Sequence, residues 1–313
     1  MRTSLATGYR GRFAPSPTGR LHFGSLIAAL GSWLDARAHQ GIWLVRIEDI
    51  DRVRCVEGAA DDILRTLETF GLHWDETVIY QGMADSQARY HEALSRLKMA
   101  GRLYPCACSR KDIADSSQQG VDGPVYPGTC RGGLPADRPV RSTRIRVGDA
   151  APFFRDRIQG DYRQHLALDV GDFILQRTDG QVSYQLAVVV DDAFQRITHV
   201  VRGIDLIAST PRQLFLQQCL GFPHPEYAHL PLAVNQYGLK LSKQNLARPL
   251  EPKTAPLVLA EALQFLGHPP PVELAGAGCR SLLEWARQRW EISRVPRQHH
   301  IVAETADTVP PER

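Results

Sequence analysis

The stretch Arg12-Phe-Ala-Pro-Ser-Pro-Thr-Gly-Arg-Leu-His22-Phe-Gly24-Ser25 decides the fold of this chain. Residues 9–14 predict a short strand, and the prolines and glycine that follow it predict a loop. Apolar residues then recur at helical spacing after Ser25, which predicts a helix with Ser25 as its N-cap. We expect this helix to end near Gly41.

The start of the predicted helix is a candidate phosphate site. A helix N-terminus presents free N–H groups and the positive end of the helix dipole, and both favour an anion. His22 adds a hydrogen-bond donor, and Gly24 lets a ligand approach the backbone. A His-x-Gly pattern alone is more often an ordinary strand-to-helix loop, so the hypothesis rests on the whole stretch.

The same stretch resembles a known family. Residues 12–19 followed by His22-Phe-Gly-Ser25 resemble the first signature of class I glutamyl-tRNA synthetases, in which the tetrapeptide is His-Ile-Gly-His. Ser25 replaces the second histidine, which removes one imidazole from the expected ATP contacts. The resemblance implies that ATP is bound by His22, Gly24 and Ser25, and glutamate by Arg12, Phe13, Ala14, Pro15 and Ser16.

Composition is that of an ordinary globular protein. The chain has 313 residues, 43% of them hydrophobic, and a formal net charge of +3, so composition alone does not indicate nucleic-acid binding. It has neither a run of about eighteen apolar residues nor an apolar signal core at the N-terminus. Three of its six cysteines cluster, which favours a reducing compartment and a metal site. We expect a soluble, cytoplasmic monomer without a membrane span.

A second strand brings acidic residues to the expected ligand edge of the sheet. Residues 42–47, Ile-Trp-Leu-Val-Arg-Ile, form a largely apolar run, as in a strand buried on both faces, and Glu48, Asp49 and Asp51 follow it. These carboxylates could pair with cations, bind a ligand ammonium or form a solvated acidic turn. The resemblance to glutamyl synthetases implies that Glu48 holds the amino group of the amino acid.

Alternating strands and helices predict a nucleotide-binding sheet. Helical periodicity at 57–70 and 86–100, the second with Ser86 as its cap, surrounds a short strand at 78–80. The predicted fold class is α/β, and the resemblance implies the Rossmann-type parallel sheet of class I aminoacyl-tRNA synthetases with an inserted zinc-bearing α+β subdomain. The predicted units are the first half-sheet (1–101), the insertion (102–180), the second half-sheet (181–250), a helical C-terminal region (251–300) and a disordered tail (301–313).

The insertion carries a candidate metal site. Cys106-Ala-Cys108 and, after a polar spacer, Tyr126-Pro-Gly-Thr-Cys130 supply most of a tetrahedral site for one structural zinc ion. Tyr126 is the candidate fourth ligand, and water, His91 or a distant side chain are alternatives. The other interpretation is three buried free thiols, which the polar spacer makes less favourable. The segment resembles the zinc-bearing insertion of some glutamyl synthetases, which supports the surface that meets the tRNA end.

Short alternating strands follow in the insertion, and they carry several arginines. These side chains could line a phosphate path or form a solvated face, and the sequence favours neither. The arginines in question are Arg141, Arg144, Arg146, Arg155 and Arg157.

The second half-sheet contains the candidate glutamate-recognition residues. Residues 185–190 fit a helix or a strand, whereas 197–206 predict a buried strand that contains Arg202 and ends in Arg-Gly. The segments around Tyr184 and Arg202 resemble family motifs, and the resemblance implies that both residues bind the glutamate side chain. A guanidinium can bind a carboxylate through two hydrogen bonds, which a neutral amide cannot match.

A lysine segment completes the pattern. Residues 235–238 predict a hairpin turn, and Leu239-Lys240-Leu-Ser-Lys243-Gln follows it. Two lysines on a mobile loop can neutralise a triphosphate as pyrophosphate leaves, although alone they would be a basic surface turn. The segment resembles the Lys-Met-Ser-Lys-Ser loop of class I synthetases, which implies that Lys240 and Lys243 are catalytic together with His22, and that Lys243 binds ATP.

The two signatures imply that ATP, accompanied by Mg²⁺, and L-glutamate bind together and form glutamyl-adenylate. The resemblance is closest to the short paralogues called glutamyl-Q tRNA(Asp) synthetases. It implies activation without tRNA, followed by transfer to queuosine at the wobble position of the tRNA(Asp) anticodon stem-loop. Two alternatives stay open: a compact glutamyl-tRNA synthetase that charges the 3′ end of tRNA(Glu), and a non-catalytic RNA-binding paralogue.

Overall fold

The computed structural model describes residues 8–114, 118–121, 123–134, 137–241 and 249–303. Its strands are β1 (Arg10–Phe13), β2 (Ile42–Ile47), β3 (Ile79–Tyr80), β4 (Leu103–Cys106), β5 (Gln119–Gly120), β6 (Gly123–Pro124), β7 (Ser142–Ile145), β8 (Phe153–Asp156), β9 (Gly160–Arg163), β10 (Ile174–Arg177), β11 (His199–Gly203), β12 (Glu226–Leu230), β13 (Leu232–Val234) and β14 (His300–Val302). Its α-helices are α1 (Phe23–Ala38), α2 (Ala59–Thr69), α3 (Ala84–Met99), α4 (Arg110–Ala114), α5 (Leu166–Asp169), α6 (Tyr184–Phe194), α7 (Thr210–Leu220), α8 (Ala255–Phe265) and α9 (Cys279–Arg289).

Parallel strands form the centre of the molecule. β1, β2 and β3 pair in that order and all run parallel, and β11 pairs parallel with β12. The Thr198 N–H donates to the Arg10 carbonyl oxygen (2.9 Å), which places β11 beside β1. The predicted parallel α/β sheet is therefore confirmed, and its strands end on one common edge.

Burial explains the apolar run that forms β2. Trp43, Leu44, Val45 and Ile47 are each at most 1% exposed, so the strand is covered on both faces as predicted. One face packs against α1, which shares a single core with β1, β2, α8 and α9. The C-terminal helices thus stabilise the first half of the sheet.

The insertion is built from antiparallel strands. β4, β7 and β10 form one sheet and β8 pairs with β9. Its arginines differ from one another. Arg144 is buried, and its guanidinium carbon lies 3.8 Å from the centre of the Tyr126 ring. Arg157 forms an ion pair with Asp35, whereas Arg141 and Arg155 are exposed, as on a solvated face.

Two helix predictions are settled by local hydrogen bonds. Residues 185–190 are helical within α6, whose N-cap Ser183 accepts a hydrogen bond from the Leu186 N–H. The prediction that Ser86 caps α3 is wrong, because Met83 occupies the N-cap position. Ser86 lies inside the first turn, where its hydroxyl donates to the Tyr80 carbonyl oxygen (3.0 Å).

The C-terminal segment is more ordered than the sequence predicts. β14 pairs parallel with β13, and the Ala303 N–H donates to the Val234 carbonyl oxygen (2.9 Å). The prediction of disorder from residue 301 is therefore wrong for 301–303, because these residues form hydrogen bonds with the backbone of β13. Residues 304–313 of that tail lie outside the described residues. No described helix combines the length and the apolar character needed to cross a membrane.

Candidate active site

A cavity of about 540 Å³ opens at the C-terminal ends of β1, β2, β11 and β12. It joins the loop after β1, the start of α1 and the segment after β13. Twelve of the predicted site residues line it: Arg12, Phe13, Ala14, Pro15, Ser16, His22, Gly24, Ser25, Glu48, Tyr184, Arg202 and Lys240. Lys243 lies outside the described residues.

His22 is the N-cap of α1, so the prediction that Ser25 caps this helix is wrong. The Ser25 N–H donates to Nδ1 of His22 (3.3 Å), and the Leu26 N–H donates to the His22 carbonyl oxygen (3.0 Å). The helix consequently begins at Phe23. Because Nδ1 accepts, the neutral imidazole has its proton on Nε2. The histidine therefore fixes the helix terminus and offers a donor in the same place.

Gly24 brings the His22 turn against the lysine segment. A Cβ atom at Gly24 would lie 3.1 Å from the Leu241 carbonyl oxygen, and Leu241 is held by donating its N–H to Ala233. Beyond the lysine segment, the Leu250 N–H donates to the Leu21 carbonyl oxygen (3.0 Å). Both flanks of the segment therefore contact the turn that contains His22.

We expect Gly24→Ala to raise the KM for ATP by about tenfold, because overpacking a tight contact costs about 1–3 kcal/mol. The added methyl group would press on Leu241 and on the His22 ring, 3.2 Å away. The measurement is ATP–pyrophosphate exchange with glutamate. Gly278→Ala is the matched control, because a Cβ there meets nothing within 4 Å. An unchanged KM for ATP would contradict the close approach.

Arg202 is buried, and one of its guanidinium nitrogens has no hydrogen-bond partner. Its Nε donates to Nε2 of His229 (3.1 Å), and its Nη2 donates to Oγ1 of Thr210 (2.8 Å) and to the Leu206 carbonyl oxygen (3.3 Å). Its Nη1 is buried without a hydrogen-bond partner, on a residue that lines the cavity. Burying a charged donor without a partner is costly, so this nitrogen calls for an anionic ligand.

A buried ionic network supports the floor of the cavity. Arg46 donates to Asp192 (2.8 Å), Gln195 (2.7 Å) and Glu48 (3.2 Å), and Arg12 also donates to Asp192 (3.2 Å). Burial alone would raise the pKa of Asp192, but the two guanidinium groups outweigh it and lower that pKa. For Glu48 burial outweighs the arginines, so its pKa is raised. A bound ammonium group would supply the missing positive charge.

Lys240 has a carboxylate partner that the sequence analysis missed as a site residue. Its Nζ lies 2.5 Å from Oδ2 of Asp205, and both residues line the cavity. The signal was the motif Val200-x-Arg202-Gly203-x-Asp205, in which the acidic residue follows three positions after the arginine. Arg46 and Asp192 were also missed, although a charged residue inside the apolar run of β2 could have revealed them.

The predicted metal ligands form a separate buried cluster. The sulfur atoms of Cys106, Cys108 and Cys130 lie within 4.8 Å of one another, with Cys108 and Cys130 3.7 Å apart. The Tyr126 hydroxyl oxygen is 3.3 Å from Cys106 Sγ and 3.8 Å from Cys108 Sγ. Around one tetrahedral zinc ion, two sulfurs lie about 3.8 Å apart and a sulfur and an oxygen about 3.5 Å apart. This donor set therefore fits a metal ion, and among the described residues no other group of three metal-ligating side chains occurs.

The surroundings of Cys106 favour its thiolate, whereas burial raises the pKa of Cys108. Burial raises the pKa of Cys106, but hydrogen bonds with Tyr126 and with Nε of Arg144 (3.3 Å) lower it to about 7. The thiolate is the form that binds metals. Burial raises the pKa of Tyr126, so a metal ion would have to displace its proton. His91, an alternative ligand, is not a member of the cluster.

Comparison with known proteins identifies close relatives. The family described as tRNA synthetases class I (E and Q), catalytic domain, matches residues 9–254. A protein of Dechloromonas aromatica named glutamyl-Q tRNA(Asp) synthetase is 57% identical over 296 residues, which are 94% of this chain and 98% of that protein. A protein of the same name from Thiobacillus denitrificans is 55% identical and covers 95% of this chain and 97% of its own length.

Solved structures match the fold. The crystal structure of a glutamate tRNA ligase from Elizabethkingia meningosepticum, in complex with its amino acid, has a TM-score of 0.76 at 23% identity. The match covers 96% of this chain and 68% of that chain. Glutamate-tRNA synthetase from Elizabethkingia anophelis gives a TM-score of 0.75 at 24% identity. At such low identity these structures establish the fold and nothing further.

Proposed function

Because this chain belongs to the class I tRNA synthetases of the glutamate and glutamine type, within the group of glutamyl-Q tRNA(Asp) synthetases, we propose that it activates L-glutamate with ATP and transfers it to queuosine of tRNA(Asp). One observation carries the proposal. A single cavity is lined by a buried arginine with an unpartnered nitrogen, by a helix N-terminus and by a lysine.

The amino acid would lie at the arginine end of the cavity. In our proposal, Nη1 of Arg202 and the hydroxyl group of Tyr184 bind the side-chain carboxylate of glutamate. Glu48 binds the ammonium group, whose positive charge favours the ionised carboxylate and so opposes the effect of burial on its pKa. The loop from Arg12 to Ser16 completes the wall. It is fixed beside Glu48, whose N–H donates to the Pro15 carbonyl oxygen (2.9 Å). Glutamine would leave the buried guanidinium without a counter-charge, which disfavours it.

ATP would lie at the other end. The N-terminus of α1, with His22, Gly24 and Ser25, binds phosphate, while Lys240 and Lys243 stabilise the charge that develops as pyrophosphate leaves. Mg²⁺ would arrive with ATP, bound mainly by phosphate oxygens and water. The glutamate α-carboxylate is already ionised, so the protein needs to orient it towards the α-phosphate rather than to remove a proton. The products are glutamyl-adenylate and pyrophosphate.

The cysteine cluster would hold one structural zinc ion, with Tyr126 as the fourth ligand. Its role in our proposal is to stabilise the insertion, because α4 and the strands β5 and β6 are too short to bury a core of their own. The cluster is built from its own set of side chains, none of which lines the cavity that we assign to catalysis. Zinc therefore takes no part in adenylate formation.

Transfer to RNA would follow activation. A hydroxyl group of the queuosine cyclopentenediol attacks the glutamyl carbonyl of the adenylate and AMP leaves, which forms an ester. A wobble base in an anticodon loop is accessible without opening a duplex. Activation would thus need no RNA, and tRNA(Asp) would be the acceptor.

The test is to incubate labelled glutamate and ATP with purified tRNA(Asp) that carries queuosine. We expect labelling that survives removal of the 3′-terminal nucleotide, and none with tRNA(Asp) that lacks queuosine. Loss of label on removal of that nucleotide, or labelling of tRNA(Glu) instead, would indicate a compact glutamyl-tRNA synthetase. Absence of glutamate-dependent exchange in the protein alone would indicate a non-catalytic RNA-binding protein.

A further inference from the structure

Behind Arg202 lies a chain of buried polar groups that the reaction does not itself require. His229, on β12, is fully buried, and its two ring nitrogens contact different partners. Nδ1 is 2.6 Å from Oδ2 of Asp156, and Nε2 accepts from Nε of Arg202 (3.1 Å) and lies 3.2 Å from Oγ1 of Thr210. Asp156 is the last residue of β8, so it belongs to the insertion rather than to the parallel sheet.

The hydrogen bonds of Asp156 fix the orientation of its carboxylate. Oδ1 accepts from three backbone N–H groups: those of His229 (3.1 Å), Ile158 (3.0 Å) and Gln159 (2.9 Å). Oδ2 therefore faces the imidazole. A carboxylate can only accept, so the imidazole must donate from Nδ1, and the neutral ring then has a lone pair on Nε2.

The protonation state of the ring agrees with this geometry. Burial and the nearby Arg202 lower the pKa of His229 to about 4, although Asp156 opposes the shift. The imidazole is thus neutral near pH 7. A proton on Nε2 could be donated to Oγ1 of Thr210, but the Nε–H of Arg202 would then lose its acceptor on the ring. The tautomer therefore decides whether His229 holds the guanidinium.

The guanidinium is held along two of its edges. His229 accepts from Nε, and Thr210 together with the Leu206 carbonyl oxygen accept from Nη2. Nη1 remains, buried and without a hydrogen-bond partner. The contacts therefore select which nitrogen is presented to the ligand, and they prevent the side chain from turning another edge into the cavity.

We propose that Asp156 and His229 are positioning residues that set amino-acid specificity: Asp156 fixes the tautomer of His229, and His229 orients Arg202 to receive the side-chain carboxylate. This inference rests on the proposed function, because it takes Arg202 as the residue that binds glutamate. It also gives the insertion a second role. The insertion supplies Asp156, the residue farthest from the ligand in the series of hydrogen-bonded side chains that orients Arg202.

Asp156→Asn is the decisive variant. The amide oxygen would stay on the three backbone N–H groups, so its NH₂ would face Nδ1 and force the imidazole proton onto Nε2. We expect the KM for glutamate in ATP–pyrophosphate exchange to rise about 10- to 100-fold, which is the range of effects seen when the hydrogen-bond partner of a metal-ligating histidine is changed. The KM for ATP should stay within twofold, and the ratio of kcat/KM for glutamate to that for glutamine should fall.

The matched control is Asp161→Asn, on the paired strand β9, whose side chain is largely exposed. It should leave both KM values unchanged. Nitrogen-15 resonances of labelled histidine provide a readout independent of activity. They should show an unprotonated Nε2 at His229 in the unaltered protein and a protonated one in Asp156→Asn.

Should Asp156→Asn not fold, His229→Gln keeps the inference testable. Its amide can accept from Arg202 and donate to Asp156, so we expect a KM for glutamate within about fivefold of the unaltered protein. A KM in the range predicted for Asp156→Asn would overturn the inference. So would an unchanged KM in Asp156→Asn, or equal rises in the KM for glutamate and for ATP. If the unaltered protein shows no glutamate-dependent exchange, the proposed function fails instead.

Discussion

Arg202→Ala should lower kcat/KM for glutamate in ATP–pyrophosphate exchange by about 100- to 1,000-fold. Truncating one member of a buried charged pair costs about 2–5 kcal/mol, and each 1.4 kcal/mol is a factor of ten. The side chain is 5% exposed, so water cannot replace the lost guanidinium efficiently. Most of the loss should appear as a higher KM for glutamate, since the contact is made before the phosphate reacts.

Two further variants separate charge from packing. Arg202→Lys keeps the positive charge but lacks the planar fork, so it should recover only part of the lost activity. Arg155→Ala removes an arginine whose side chain is 85% exposed, and it should match the unaltered protein. If Arg202→Ala kept a normal KM for glutamate, the carboxylate would have to bind elsewhere, and both the assignment of this pocket and the positioning role of His229 would fail.

The sequence identified the cavity because its residues sit in continuous motifs at the ends of strands. In a parallel sheet the carboxyl ends of neighbouring strands meet, so Arg12, Glu48 and Arg202 had to converge once β1, β2 and β11 were placed. The resemblance to class I synthetases, drawn from those motifs, is confirmed by the family match and by the relatives. The roles of the individual residues stay predictions.

The supporting contacts could not be predicted because they join distant parts of the chain. Asp156 and His229 are 73 residues apart, and nothing in the local sequence of either indicates the other. The cap of α1 was misassigned for a different reason. Ser25 fits the usual preference for a hydroxyl cap, whereas His22 caps through a ring nitrogen three residues earlier, which is a rarer arrangement. The pairing of β14 with β13 likewise depends on an open strand edge that only the assembled fold reveals.

Cys130→Ser should abolish stoichiometric zinc binding and strongly destabilise the insertion. Loss of a structural metal site is among the few single changes that cost more than about 4 kcal/mol. The sulfur of Cys130 lies 3.7 Å from that of Cys108, and it also accepts from the Ala107 N–H (3.5 Å). We expect about one zinc ion per chain in the unaltered protein and a clearly lower unfolding temperature for the variant, measured by metal analysis and circular dichroism.

Cys55→Ser is the matched control, because Cys55 lies outside the cluster and its thiol contacts backbone carbonyl oxygens that a hydroxyl can also reach. It should retain zinc. Tyr126→Phe removes a single oxygen, so it should weaken zinc binding at least about tenfold while three thiolates still hold the ion at saturating zinc. Unaltered zinc affinity in Tyr126→Phe would assign the fourth position to water. Zinc-free protein with full stability would mean that the three cysteines are packing residues, because their burial alone would then hold the insertion together.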